Sequence, residues 1–305
     1  MHAALTALTA ELKRLKTAGV KSVAVSDESL GALRRIVAAR SAGGPGLAGK
    51  NAIMRAAAVE SPPEPKAAER GPPIAAGRSN VAIPAPPVVA LPAGDKAARW
   101  AALRDRVLTD ATCRAHVRPG KQVVFGVGSL DAQIMFVGEA PGADEELKGE
   151  PFVGPAGQLL TKMIGAMALQ RSEVYIGNIM NWRPEMSTPP GGMLYGNRPP
   201  TEIEMGYCLP FLKAQIEVVN PGLLIALGAT ATQGLLGPGS FKALGEVRGR
   251  WHEFAGKPLM VTYHPSYILR NPTNRSKRLI WEDLLKVMER AGLPISEKQR
   301  RYFLE

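Results

Sequence analysis

Four short apolar runs set the tightest limit on what this chain can fold into: QIMFVG (133–138), VYIGNI (174–179), LLIALG (223–228) and LMVTYH (259–264). Each is shorter than a typical helix and has Gly, Pro or Asn at or just past its end. Helical patterns lie between them, among them GQLLTKMIGAMAL (157–169) and TEIEMGYCLPFLKAQIEVV (201–219). Near-continuous apolar strands alternating with helices imply a parallel sheet covered on both faces. The expected architecture is α/β, a three-layer αβα sandwich with a central, mainly parallel four-stranded sheet. Ligands bind such sheets at the carboxyl ends of the strands, and the residues able to do chemistry fall there.

The first hundred residues read differently. Leu5, Leu8, Leu12 and Leu15 recur at helical spacing, and SDESLGALRRIVAAR opens with Ser and acidic residues as helix N-termini do. Residues 1–40 are therefore expected to form an N-terminal helical segment. SAGGPGLAGK, SPPEPKAAERGPPIAAG and IPAPPVVALPAG hold neither a helical nor a strand period, so 41–98 reads as a flexible Pro/Ala/Gly-rich linker. A globular domain over 99–292 and a C-terminal tail over 293–305 complete the expected organisation.

The formal net charge of +11 favours a polyanionic partner, because Lys and Arg that neutralise phosphates release counterions. A basic surface also serves solubility, so charge alone does not decide. No apolar run is long enough to cross a bilayer, and MHAALTALTAELKRLK lacks the uninterrupted apolar stretch of a secretory signal. Two cysteines cannot build a disulfide framework. A cytoplasmic monomer without membrane contact is the expectation.

The first run leads into GEAPGADEELKGEPFVGPAGQLL (138–160), where glycines let the backbone approach a ligand closely. Glu139 and Glu145 put carboxylates beside this loop, and Phe152 offers an aromatic face. The loop has neither GxxxxGK[ST] nor GxGxxG, so it is not a nucleotide-phosphate loop of either kind. The second run leads into GNIMNWRP, with Asn178 at the strand tip; an Asn carries both an acceptor and donors, although an Asn there also serves as a turn cap. The fourth leads into TYHPSYILRNP, with His264 at the strand end beside a basic, aromatic segment.

Together, GEAPGADEELKGEPFVGPAGQLL, GNIMNWRP and HPSYILRNP resemble the uracil-DNA glycosylase superfamily, closest to its family 4, the prokaryotic iron–sulfur type. VVFGVGSLDAQIMFVGEAPG and QIEVVNPGLLIALGATA extend the resemblance, which covers roughly residues 110–290. It implies hydrolysis of the N-glycosidic bond of uracil in DNA, with related deaminated bases left open. A non-catalytic binder of uracil or abasic-site DNA is the competing expectation. Glu139 and Glu145 match acidic positions that handle the attacking water or the sugar cation. Phe152 matches the aromatic that stacks on the base, Asn178 the base-reading Asn, Asn197 a loop Asn near the base, and His264 the residue that stabilises the leaving group. Ser266, Tyr267, Leu269 and Arg270 match the segment that enters DNA. Ala140 stands beside the base where other branches carry a water-activating Asp.

The chain departs from that pattern in two places. The iron–sulfur branch uses four cysteines, and only Cys113 and Cys208 are present here. His116 follows Cys113 at CxxC spacing, and Trp182 occupies the third position. Such clusters take four ligands, so no cluster, no other metal and no organic cofactor is expected. EMSTPPGGMLYG stands as an insertion before NRPP, a flexible lip that would alter which bases fit. No His occurs in 183–207, so turnover without a stable covalent adduct is expected.

Overall fold

The computed structural model describes residues 82–184 and 197–304. The helical segment expected over 1–40, the linker as far as residue 81 and residues 185–196 of the insertion lie outside the described residues. One six-stranded sheet is formed by β1 (Val127–Gly128), β2 (Ile134–Gly138), β3 (Tyr175–Asn178), β4 (Leu223–Leu227), β5 (Trp251–Phe254) and β6 (Lys257–Thr262). Among the described residues the helices are α1 (Lys96–Thr109), α2 (Ala111–Ala115), α3 (Ala143–Lys148), α4 (Pro155–Ala166), α5 (Glu202–Val219), α6 (Ala229–Leu236), α7 (Leu244–Val247), α8 (Pro265–Arg270), α9 (Asn274–Arg290) and α10 (Glu297–Arg300).

The strand order is β1-β3-β2-β4-β6-β5, with the inner four parallel and both edges antiparallel. The inner four are the four apolar runs. The expected four-stranded sheet thus gains two edge strands. Neither had an apolar run to announce it: β1 is two residues long, and β5 (WHEF) is only partly buried. A two-residue turn, Ala255–Gly256, joins β5 to β6 with φ of 51° and 70°. Such positive values match the twist of a tight hairpin.

Side chains alternate across the sheet and divide its core in two. Met135, Val137, Leu224, Ala226, Leu259 and Val261 pack with residues of α1, α5 and α6. Ile134, Phe136, Leu223, Ile225 and Met260 pack with residues of α4 and α9. These are the three layers. Phe136 is fully buried between neighbouring strands, and burying a side chain of that size stabilises by roughly 1.5–3 kcal/mol.

The packed domain begins before residue 99. Asp95 caps α1 by accepting from Ala98 N at 2.8 Å. Ile83, Val89 and Leu91 lie against the first core, and Arg106 Nη2 donates to the carbonyl of Val88 at 2.5 Å. A Pro-rich segment with no period can still dock as an extended strap through a few apolar side chains. The C-terminal segment is docked too. Leu293, Ile295 and Tyr302 pack on the second core, and Trp281 Nε1 donates to the carbonyl of Gln299 at 2.6 Å.

Three features of this scaffold place the site. β3 and β4 flank β2 on opposite sides, so the chain reverses its direction of travel across the sheet between β2 and β4, which opens a crevice at their carboxyl ends. Thr262 at the tip of β6 donates its hydroxyl to buried Asp283 at 2.6 Å. Arg248 Nη1 donates to the same carboxylate at 2.8 and 2.9 Å, which fixes the strand end that precedes His264.

Candidate active site

The β2–β3 register sets Gly138 directly beside Asn178. A Cβ at Gly138 would collide with Asn178 Oδ1 and with the ring of Phe152, so only a glycine admits both side chains over the strand tip. Phe152 holds φ of 54°, an uncommon conformation for a bulky residue. Gly157, in the first turn of α4, lies so close beneath it that a Cβ would run into the Phe152 carbonyl. The Phe152 and His264 rings lie 5.6 Å apart between centroids, at 32°. On the far side of the crevice, Gly228 at φ of 90° leaves 3.0 Å between the place of a Cβ and His264 Cβ. Segments far apart in sequence, the last more than a hundred residues from the first, thus meet in one place.

The protonation of His264 follows from its partners. The backbone N–H of Ser266 can only donate, and it reaches Nδ1 at 3.2 Å. The Ser266 hydroxyl accepts from Arg270 Nη1 at 3.0 Å and lies 2.8 Å from the same Nδ1. With Nδ1 an acceptor, a neutral imidazole carries its proton on Nε2. Burial, and after it the positive charge of Arg270, pulls the His264 pKa down from 6.5 to about 4. At neutral pH the ring is uncharged and offers an Nε2–H donor.

Asn178 is 6% exposed, and its Oδ1 has no hydrogen-bond partner. Buried polar atoms are nearly always paired, so this oxygen is left free to accept from a ligand. Burial raises the pKa of Glu139, and a hydrogen bond to Thr230 partly opposes that rise. Thr230 follows β4 and Glu139 follows β2, so this contact spans the crevice. The backbone around it is fixed, because Ile179 N and Met180 N donate to the carbonyls of Gly138 and Glu139 at 2.9 and 3.0 Å.

Two other expected site residues are already occupied. The Glu145 carboxylate accepts from Gly142 N, Val153 N and Gly154 N at 3.0, 3.0 and 2.9 Å. It ties the loop after β2 to the segment carrying Phe152, and both oxygens are spent on that task. Asn197 donates from Nδ2 to the carbonyl of Pro141 at 2.9 Å and accepts from Arg183 Nε at 2.7 Å. It braces the rim rather than offering a free amide. Ala140 lies at the mouth and packs partly on the first core. In α8, Tyr267 stacks on Tyr263 at 4.3 Å, while Leu269 and Arg270 are exposed.

Comparison with known proteins identifies the family. The profile of the Uracil DNA glycosylase superfamily matches residues 125–285, more than half of the chain. The type-4 uracil-DNA glycosylase of Thermotoga maritima is 40% identical over 183 residues, covering 60% of this chain and 89% of that protein. The enzyme of the same name from Saccharolobus solfataricus is 40% identical over 176 residues, covering 55% and 76%. The chain belongs to the uracil-DNA glycosylase superfamily.

Within that family the type-4 branch carries an iron–sulfur cluster, and the corresponding residues here do not fit one. Cys113 and Cys208 are free and fully buried. His116 Nδ1 lies 2.8 Å from the carbonyl of Thr112, so it is the donor; Nε2 keeps a lone pair and is buried without a partner, and the ring stacks on Trp182 at 4.7 Å. An indole has no lone pair to give a metal. Among the described residues no group of three or more His, Cys, Asp or Glu is arranged to hold a metal ion. The His116–Trp182 stack, extended by Tyr207 at 6.2 Å from Trp182, packs this space with rings.

The protonation of His264 can be read directly. Imidazole ¹⁵N spectra should show the neutral Nε2–H form at pH 7 and a midpoint near pH 4. Arg270→Ala should move the midpoint upward, since one of its two depressing causes is gone. A midpoint near 6.5 in the unaltered protein would refute this electrostatic description.

Proposed function

We propose that this protein hydrolyses the N-glycosidic bond of uracil in DNA, starting base-excision repair, with the unpartnered amide of Asn178 as its base reader. Uracil presents an N3–H donor beside an O4 acceptor. Asn178 Oδ1 accepts the first and Nδ2 donates to the second. Cytosine presents the opposite pattern and would leave the buried oxygen facing a lone pair, at a cost of about 1–3 kcal/mol. The base must leave the stack to arrive there, which costs a few kcal/mol and least at a mismatch. Phe152 stacks on the flipped base, and Leu269, an exposed apolar residue on a short helix beside His264, enters the gap left in the duplex with Arg270 next to the backbone.

As the C1′–N1 bond breaks, its electron pair goes to the uracil ring and positive charge develops on the sugar. His264 Nε2–H hydrogen-bonds the pyrimidine O2 where negative charge gathers. A positioned donor of this kind contributes about 3 kcal/mol to the transition state. Water adds to C1′ and gives up a proton, and the uracil anion takes one. With Ala140 in place of an acid and Glu145 committed to the backbone, Glu139 orients the water and steadies the sugar cation. No residue of 183–207 is a His, so release proceeds without a lasting adduct. The substrate partner is DNA containing uracil, and the reaction draws on no iron. No described helix is long and apolar enough to cross a membrane.

Purified protein should convert a uracil-containing oligonucleotide to its abasic form. Asn178→Ala and His264→Ala should each slow single-turnover release by about 10²–10³-fold with unchanged circular dichroism. Full activity in both would end the site assignment, and DNA binding with no free uracil from the unaltered protein would favour a lesion binder.

Acid should switch off Glu139 before it reaches His264. The carboxylate is the working form, and its pKa is raised, so activity falls as pH drops through a value above the ordinary 4.5. His264 stays neutral down to about 4. In a pH–rate profile, Glu139→Gln should be slower and should lack the upper acidic limb; an unchanged profile would remove Glu139 from the chemistry.

Iron analysis should find no stoichiometric metal, and excision should survive a chelator. Brown protein with absorbance near 400 nm would overturn the iron-free reading.

A further inference from the structure

A polar groove of about 390 Å³, lined by Leu108, Arg114, Val117, Arg118, Lys121 and Gln122, lies away from the base pocket. Three of these residues are cations and none is an acid. Among the described residues neither Arg114 nor Lys121 makes an ion pair. Arg118 pairs with Glu146, which is 3% exposed and also accepts from Arg183 Nη1 at 3.0 Å. One buried carboxylate is thus shared between two guanidinium groups.

The groove is tied to the catalytic end of the sheet. Gln122 N donates to the carbonyl of Glu146 at 2.7 Å and Gln122 Nε2 to that of Leu147 at 3.0 Å, both in α3, the helix just past the tip of β2. A continuous polar chain then runs from Arg118 through Glu146, Arg183 and Asn197 to the Pro141 carbonyl in the loop beside the base. Arg118 is thereby linked to that loop.

We infer that this groove, through Arg114, Arg118 and Lys121, binds a backbone phosphate of the substrate DNA outside the nucleotide being excised. The inference rests on the proposed reading of uracil-containing DNA as substrate. Concave cationic walls raise the local concentration of an anion, and guanidinium groups match the geometry of phosphate oxygens. A phosphate held in this way positions the duplex and reads no sequence.

The test uses the full chain and a duplex carrying a non-cleavable uracil nucleotide, titrated at several salt concentrations. For the Arg114→Ala/Lys121→Ala variant, binding should weaken several-fold at moderate salt. The slope of log K against log[salt] should become shallower by about one for each phosphate that the variant no longer neutralises. On a matching cleavable duplex, the single-turnover rate at saturating DNA should not change, because neither residue belongs to the catalytic machinery. An unaltered slope and Kd would overturn the groove assignment while leaving uracil release by the unaltered protein in place. Absence of uracil release from the matching cleavable duplex by the unaltered protein would instead defeat the functional reading, so the two failures are told apart.

Discussion

The site depends on one close approach between strands. Parallel pairing of β2 with β3 brings Gly138 opposite Asn178, and the missing side chain at 138 is what lets the amide and the Phe152 ring share the space above the strand tips. Any larger residue at 138 would displace one or both. The same condition recurs beneath Phe152, where Gly157 admits a backbone at left-handed φ, and beside His264, where Gly228 admits the strand-end histidine. Glycine is generally costly in ordered structure because it loses more freedom on folding. Here three of them sit where side chains from different strand ends must converge, and the three Glu145 hydrogen bonds hold the loop that the convergence requires.

Burial shapes the electrostatics of the site in two directions. It disfavours whichever form is charged, so it lowers the pKa of His264 and raises that of Glu139. A neutral histidine suits a step in which negative charge appears on the leaving base, because it can donate a hydrogen bond without first stabilising an anion in the ground state. The hydrogen bonds to Nδ1 then decide which nitrogen keeps the proton. Ser266, with Arg270 behind it, thereby selects the tautomer.

Much of this was legible in the sequence, for identifiable reasons. Inner parallel strands are buried on both faces, so they read as unbroken apolar runs, and all four were visible. The edge strands were not, since β1 is held by two residue pairs and β5 by its hairpin turn rather than by composition. The Pro-rich stretch read as linker, yet Ile83, Val89 and Leu91 dock on the core, because an extended strap needs no periodicity to bury a few side chains. Glu139, Phe152, Asn178 and His264 could be placed from strand-end positions and the family resemblance. The scaffolding job of Glu145 and the bracing job of Asn197 could not, because both depend on backbone N–H groups, a carbonyl and an arginine that only the folded chain brings near. The Glu146–Arg183 pair escaped notice for the same reason.

The residues at the positions of the family's cluster cysteines form a packed unit of their own. Cys113, His116, Trp182 and Cys208 lie with α2, α5 and the segment after β3, inside the first core rather than at the crevice. What that position must supply to the fold is filled volume and a fixed spacing between α2, α5 and the loop leaving β3. Stacked rings supply both: His116 on Trp182, and Trp182 against Tyr207, whose hydroxyl donates to Asp110, the residue that caps α2. Asn181, one residue before Trp182, in turn exchanges hydrogen bonds with Val124, and Asn178 lies three residues before Asn181. Packing in this core is therefore linked to Asn178 through a short, pinned stretch of chain. That stretch is pinned at both ends, by the pairing of β3 before it and by the Asn181–Val124 hydrogen bonds within it.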